Sequence, residues 1–243
     1  MLEAYHLISR KSLENNEILS AIFNRDKAPH WPYSAEIISG IKKRFIDVYN
    51  SGYLFSYKRR CELDLYNPSD LKPVDFLAGD DNYIFLSFGR RDEYFKDWPE
   101  ANYGFIFDAF ELIKMGATLR THDLIKPYND LWDKLLIGFS EPEKGNLERL
   151  CLRENKPVDL TKLKQNFPEI QKFCELFYME AKNLKSSADL SGQEALALLE
   201  KNGPNSDFEL LIPQRLPVSK AIKYIVASEI ISKSEFAAWI STT

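Results

Sequence analysis

The run Tyr83-Ile84-Phe85-Leu86-Ser87-Phe88 constrains the fold more than any other stretch of the chain. It is almost continuously apolar, with Asn82 before it and a glycine after it. A strand with one solvated face alternates apolar and polar residues. One that does not alternate has to be covered on both faces. This run therefore reads as a central strand with layers on either side. Leu2 to Ser9, Tyr103 to Phe107, Phe208 to Ile212 and Ala221 to Ala227 read as further strands. Thr118 to Asp123 is either a short strand or a turn.

Helical spacing fills much of the rest. Ser12 is a plausible N-cap for a helix reaching about Asn24. Ala35 to Asn50 carries the apolar stripe Ile37, Ile38, Ile41, Phe45, Ile46 and Tyr49, with Gly52 as its stop. Ala109 to Met115, Leu124 to Ile137 and Lys233 to Trp239 are further helices. Tyr53 to Tyr57 reads as strand, Lys58-Arg59-Arg60 as a basic turn, and the residues up to Tyr66 as strand again. Asn67 to Asp81 and Arg90 to Asn102 read as loops. From Gly138 to Asn202 helical signals dominate: Leu147 to Arg153, Leu160 to Leu184 with a break near Pro168, and Gly192 to Leu199. The expected fold is α+β. Residues 1–137 and 203–243 join in one mixed sheet, and 138–202 form a helical insertion or subdomain before the last strands.

The net charge of −4 argues against wholesale non-specific binding of nucleic acid, although a local basic patch stays open. The three cysteines are odd in number and show no CxxC spacing, which fits a reducing compartment. The three histidines lie far apart, so no zinc-ligand pattern assembles. Met1 to Ser9 carries Glu3 and His6 and lacks the apolar core of an export signal. No stretch approaches the ~20 apolar residues of a membrane span. A cytoplasmic protein is the expectation.

Three polar residues interrupt otherwise apolar strands: His6, Ser87 and Glu209. Buried polar groups need partners, so strands carrying them are candidates for a shared cleft. Glu209 opens the short run ending at Pro213, just after the glycine-containing loop 201–206. Asp80, Asp81 and Asp108 form a separate set of spaced carboxylates, which would suit a metal-dependent hydrolase.

Tyr5-His6-Leu7-Ile8-Ser9 resembles the first-strand H-x-[ST] or H-x-x-[ST] signature of the ADP-ribosyltransferase superfamily. Phe85-Leu86-Ser87 resembles its second motif. Asp207-Phe208-Glu209-Leu210-Leu211-Ile212-Pro213, followed by Leu216-Pro217 and Ala221-Ile222, resembles the catalytic-glutamate strand of the DarT-like and poly(ADP-ribose) polymerase-like branch. Tyr103 to Asp108 with Leu112 and Gly116-Ala117 is similar to the middle of such domains. The likeness covers about half the chain, in scattered pieces. Arginine-directed members carry Glu or Gln two residues before the catalytic Glu; Asp207 stands there in this chain, which leaves the acceptor open.

The resemblance implies a mostly antiparallel sheet, NAD as substrate, and transfer of ADP-ribose to a protein or nucleic acid, in a toxin or phage-defence setting. Glu209 would be the catalytic carboxylate, stabilising an oxocarbenium-like ribose. His6 would bond the adenosine-side ribose and Ser9 the nicotinamide amide. Tyr83 or Phe85 would cover the nicotinamide ring, with Ser87 leaving room beside it. Arg90 or Arg91 would pair with the pyrophosphate. Asp207 would lie in the acceptor-selecting loop. The alternative is a catalytically inactive module of the same fold that binds a protein or nucleic acid.

Overall fold

The apolar run at 83–88 supplies β3 (Tyr83–Ser87), which lies inside an eight-stranded sheet. The fold is seen in a computed structural model that describes residues 1–8, 35–63, 73–88, 103–150, 160–203, 205 and 207–243. The other strands of this sheet are β1 (Glu3–Leu7), β4 (Tyr103–Asp108), β5 (Thr118–Arg120), β6 (Asp189–Ser191), β7 (Glu209–Pro213), β9 (Lys223–Val226) and β10 (Glu229–Ser232). A separate pair joins β2 (Tyr53–Phe55) to β8 (Arg215–Pro217). The sheet order is β10-β9-β4-β1-β3-β7-β5-β6, and every registered pair among the described residues is antiparallel. The fold is thus mixed helix and sheet, with strands from both ends of the chain side by side.

The sheet has a seam. β1 runs along β4 over five register pairs, and β3 along β7 over five. Between β1 and β3 the described residues register only Tyr5 opposite Ser87. Among the described residues the register between the two halves thus rests on that one pair.

One face of the sheet is apolar. Ala4, Leu86, Phe105, Phe107, Leu119 and Leu210 are fully buried there. Among the described residues four helices cover it: α1 (Ala35–Ser51), α4 (Ala109–Lys114), α9 (Gly192–Asn202) and α10 (Lys233–Ser241). Of the stripe expected on α1, Ile41 and Phe45 are fully buried and Tyr49 packs against the core, whereas Ile38 is exposed to solvent. Phe45 sits 4.8 Å from the Phe105 ring, and Phe236 of α10 stacks on Tyr224 at 3.8 Å. Offset aromatic contacts of this kind add about 0.5–1.5 kcal/mol each beyond the area they bury.

A second core forms among α3 (Pro73–Ala78), α5 (Ile125–Leu136), α6 (Glu141–Leu147), α7 (Leu160–Asn166) and α8 (Pro168–Ala188). Pro168 begins α8 because the first helical position needs no N–H donor. Ile170, Phe173, Cys174, Phe177 and Ala181 then recur at helical spacing toward Tyr128, Leu131 and Phe139. This core starts at Val74 and ends at Ala188, while α9 packs with the first core through Ala195 and Leu199. None of the helices among the described residues is long and apolar enough to cross a membrane.

Several local expectations are corrected. Lys58-Arg59-Arg60 is part of a helix, α2 (Tyr57–Glu62), and not a turn between strands. The buried Ser56 hydroxyl accepts the Arg59 N–H at 3.2 Å, and Arg59 reaches Glu62 at 2.8 Å, so the segment closes on itself. Where a helix was expected at 147–153, α6 instead ends at Leu147 and a 3-10 turn covers Glu148–Leu150, while 151–153 lie outside the described residues; α6 begins at Glu141, where the Ser140 N–H donates to the Glu143 carboxylate at 2.7 Å in a capping box. Residues 73–78 are helix where a loop was expected.

The last helix has the same device. Ser232 accepts the Glu235 N–H at 3.3 Å, and the Glu235 carboxylate accepts the Ser232 N–H at 2.7 Å. Ser232→Ala is expected to cost about 1 kcal/mol, read as a lower urea midpoint at unchanged slope. A midpoint equal to that of the parent would mean that α10 is held by Phe236 alone.

Candidate functional site

Directly opposite residues in antiparallel strands present their side chains on one face. The register therefore draws a continuous row across the sheet: Ser232, Lys223, Ile106, Tyr5, Ser87, Glu209, Arg120, Asp189. This row lies on the face opposite the main apolar core. Glu209 reaches it because Phe208, Leu210 and Ile212 take the alternate positions of β7 and are buried on the other side. A one-residue slip of β7 would send Glu209 into the core.

Ser87 and Glu209 face each other across β3 and β7. Tyr83 and Phe85 share that face by strand alternation, and both are half-buried. Lys185 of α8 places its Nζ 6.0 Å from the centre of the Tyr83 ring. His6 is one residue past Tyr5 and so points to the other face, opposite Phe105. Its Nδ1 lies 3.0 Å from the Phe85 carbonyl oxygen, across the seam. A carbonyl only accepts, so Nδ1 carries the proton in this bond. Of the three polar strand residues, the register brings two together and sets the third on the reverse side of the sheet. Ser9, Arg90 and Arg91 lie outside the described residues. Asp207 is exposed at the rim, two residues before Glu209, with its N–H on the Asn205 side-chain oxygen at 3.1 Å.

Glu209 is half-buried, and its carboxylate has no hydrogen bond or ion pair among the described residues. Burial pushes its pKa up to about 7. The Arg120 charge pulls the other way, and Asp123, Asp75 and Asp80 add to the rise.

Sequence reasoning missed the residues beside it. Arg120 is 2 % exposed and gives Nε and Nη2 to Asp189 at 2.8 and 3.0 Å. It gives Nη1 and Nη2 to Asp80 at 2.8 and 3.4 Å. Asp80, 1 % exposed, also accepts from the Tyr128 hydroxyl at 3.1 Å and pairs with Lys185 at 2.6 Å. Burial alone would favour a neutral guanidinium, but the bonds to Asp189 and Asp80 outweigh it and hold Arg120 charged. Gly79 makes this possible: at φ 78° it turns the chain from α3 into the 3-10 turn Asp80–Asn82, and a Cβ there would lie 3.3 Å from the Tyr178 ring. The signal in the sequence was an arginine next to a leucine in a strand that is buried on both faces.

The carboxylates expected as a metal set have other roles. Asp108 caps α4 by accepting the Phe110 N–H at 3.0 Å. Asp80 is engaged as described. Among the described residues no group of three or more His, Cys, Asp or Glu could hold a metal ion.

His6 gives a pH prediction. Burial lowers its pKa to about 4, against the Phe85 hydrogen bond, and the Arg60 and Arg44 charges add to the fall. The folded state keeps the ring neutral, while the unfolded chain takes a proton below its ordinary value of 6.5. The His6 contribution to stability is therefore complete above pH 6.5 and declines as pH falls toward 4, by at most about 3 kcal/mol. The stability difference between the parent and His6→Gln, from urea titrations at pH 4, 5 and 7, should change by that amount in favour of the variant as pH falls. An unchanged difference would place the titration elsewhere.

No protein-family model, curated protein or solved structure matches this chain.

Proposed function

We propose that this chain transfers ADP-ribose from NAD to a macromolecular acceptor, protein or nucleic acid, with Glu209 as the carboxylate that faces the ribose. The fold would be of the ADP-ribosyltransferase type. The observation that carries the reading is the state of Glu209. It is a half-buried carboxylate, raised to about 7, that nothing among the described residues has claimed. A structural carboxylate in such a place is normally paired. An unclaimed one suits a group that acts on a ligand.

Breaking the bond between nicotinamide and ribose leaves positive charge on the sugar, and nicotinamide departs with the electron pair. Glu209, once ionised, stabilises that charge and accepts the ribose 2′-hydroxyl. The Ser87 hydroxyl stands on the next strand. Tyr83 and Phe85 offer rings on the same face for the nicotinamide. Asp207 lies at the rim, where an acceptor approaches.

A second reading is a module of the same fold that binds a macromolecule without turnover. It is favoured by His6, which sits on the reverse face with its Nδ1 committed to Phe85. Incubation with labelled NAD and lysate separates the two. Transferase activity gives labelled macromolecules and free nicotinamide, and both vanish in Glu209→Gln. An unlabelled lysate, no nicotinamide and no NAD-dependent thermal shift would leave the binding module.

A further inference from the structure

We propose that Arg120 is a positioning residue: the carboxylates of Asp80 and Asp189 hold its guanidinium away from Glu209, and so keep Glu209 open to a ligand. The role given to the open carboxylate rests on the reading of Glu209 above; the array itself does not.

Glu209 and Arg120 stand directly opposite each other. Side chains so placed begin about 4.5–5.5 Å apart, and opposite charges there normally pair. These two do not. Arg120 spends four N–H···O contacts on Asp80 and Asp189 at 2.8–3.4 Å, and its ion pairs are with those two carboxylates. Asp189 comes from the next strand, β6, and Asp80 from the turn behind α3. Asp80 is fixed in turn by Tyr128 of α5 and Lys185 of α8. Two cations and two anions close the array at zero net charge. Nothing in it needs Glu209 as a counter-ion.

The surroundings of Glu209 point the same way. Ser87 stands opposite it on β3, and the charges that act on it are Arg120 on β5, Asp123 after β5, Asp75 on α3 and Asp80 on the turn. Three carboxylates repel its charge, against one guanidinium that is already engaged. A glutamate in a bidentate pair with arginine would spend one lone pair of each oxygen on the guanidinium and have its charge neutralised, leaving less for a ribose bearing positive charge. Loosening Arg120 from either aspartate lets it turn toward Glu209, favouring the ionised form and closing the site.

The test reads Glu209 directly. The full chain is labelled with 13C at the glutamate carboxyl carbons, and the Glu209 signal is assigned by its loss in Glu209→Gln. Its titration midpoint is compared in the parent chain, Asp80→Asn and Asp189→Asn. The midpoint should fall by about one unit or more in each variant, and nicotinamide release from NAD should fall at least tenfold, with the pH profile of kcat displaced by the same amount. Asp80 itself raises Glu209, so Asp80→Asn lowers the midpoint whether or not Arg120 turns; Asp189→Asn, on the short edge strand, is the milder change and decides. A Glu209 midpoint that stays in place or rises in folded Asp189→Asn overturns the proposal. If the parent chain releases no nicotinamide, the transferase reading falls, and the titration still judges the array.

Discussion

Replacing Arg120 with methionine is expected to lower the free energy of unfolding by about 3–5 kcal/mol, measured in urea at pH 7. The side chain is 2 % exposed and joins three parts of the chain: β5, the edge strand β6 and the turn behind α3. Methionine fills much of the space but leaves Asp189 without its counter-ion. Asp80 keeps Lys185 and the Tyr128 hydroxyl, so its loss is partial. A loss of this size is a large share of the about 5–15 kcal/mol that holds most domains together. Arg120→Lys should lie between methionine and the parent, since an ammonium keeps the charge but cannot form both bidentate contacts. Adding Asp189→Asn to Arg120→Met should recover part of the loss, because the stranded carboxylate is then gone. A cost below about 1 kcal/mol for Arg120→Met would mean that the array behaves like a surface pair, and the close joining of sheet and helices would need another cause.

Glu209→Gln is expected to cut nicotinamide release about 10²–10³-fold while making the fold more stable. Glutamine keeps the shape and removes the charge that would face the ribose. The stability gain follows from linkage. The ordinary value for glutamate is 4.5, and burial raises Glu209 to about 7. Below pH 4.5 both folded and unfolded chains hold the proton, so the site costs nothing. Between 4.5 and 7 the folded chain binds it more tightly, and stability declines as pH rises. Above 7 the whole penalty is present, at most about 3 kcal/mol. The difference between Glu209→Gln and the parent should be near zero at pH 4, grow through that window and level off above 7. Activity should rise over the same range as Glu209 ionises. A variant equally active, or a stability difference independent of pH, would each contradict the assigned environment of Glu209. The pairing of lost activity with gained stability is common where a site is built at the expense of the fold.

The parts legible in the sequence were those set by local pattern. β3, β4 and β9 are rich in β-branched and aromatic residues and β7 carries the apolar run Leu210-Leu211-Ile212, and this apolar character survives without knowledge of neighbours. The break at Pro168 and the stripe of α1 follow from helix geometry. β6, β8 and β10 have three or four residues each and become strands only because a partner is there to pair with. At the site, Glu209 and Ser87 stood out as polar residues in apolar strands, and their opposition is a matter of register. The reverse placement of His6 was illegible, because alternation relative to Ser87 is fixed by the Tyr5 pairing and not by anything in Tyr5 to Ser9. Arg120 was passed over for a different reason. Its partners lie 40 and 69 residues away in sequence, and only the fold brings them together.

The order of strands also sets when the site can exist during synthesis. β1 lies between β4 and β3, and β3 must wait for β7, which is more than a hundred residues further along. A ribosome that has made the first 200 residues has produced helices α5 to α8 and the array partners Asp80, Arg120 and Asp189, but not the strand that carries Glu209. Non-local pairing of this kind forms late and slowly. Until then β3 has an open edge beside the seam, which is where a growing chain would need shielding from other strands. The carboxylate arrives with the closing strand, so a partly made chain carries no Glu209 to act.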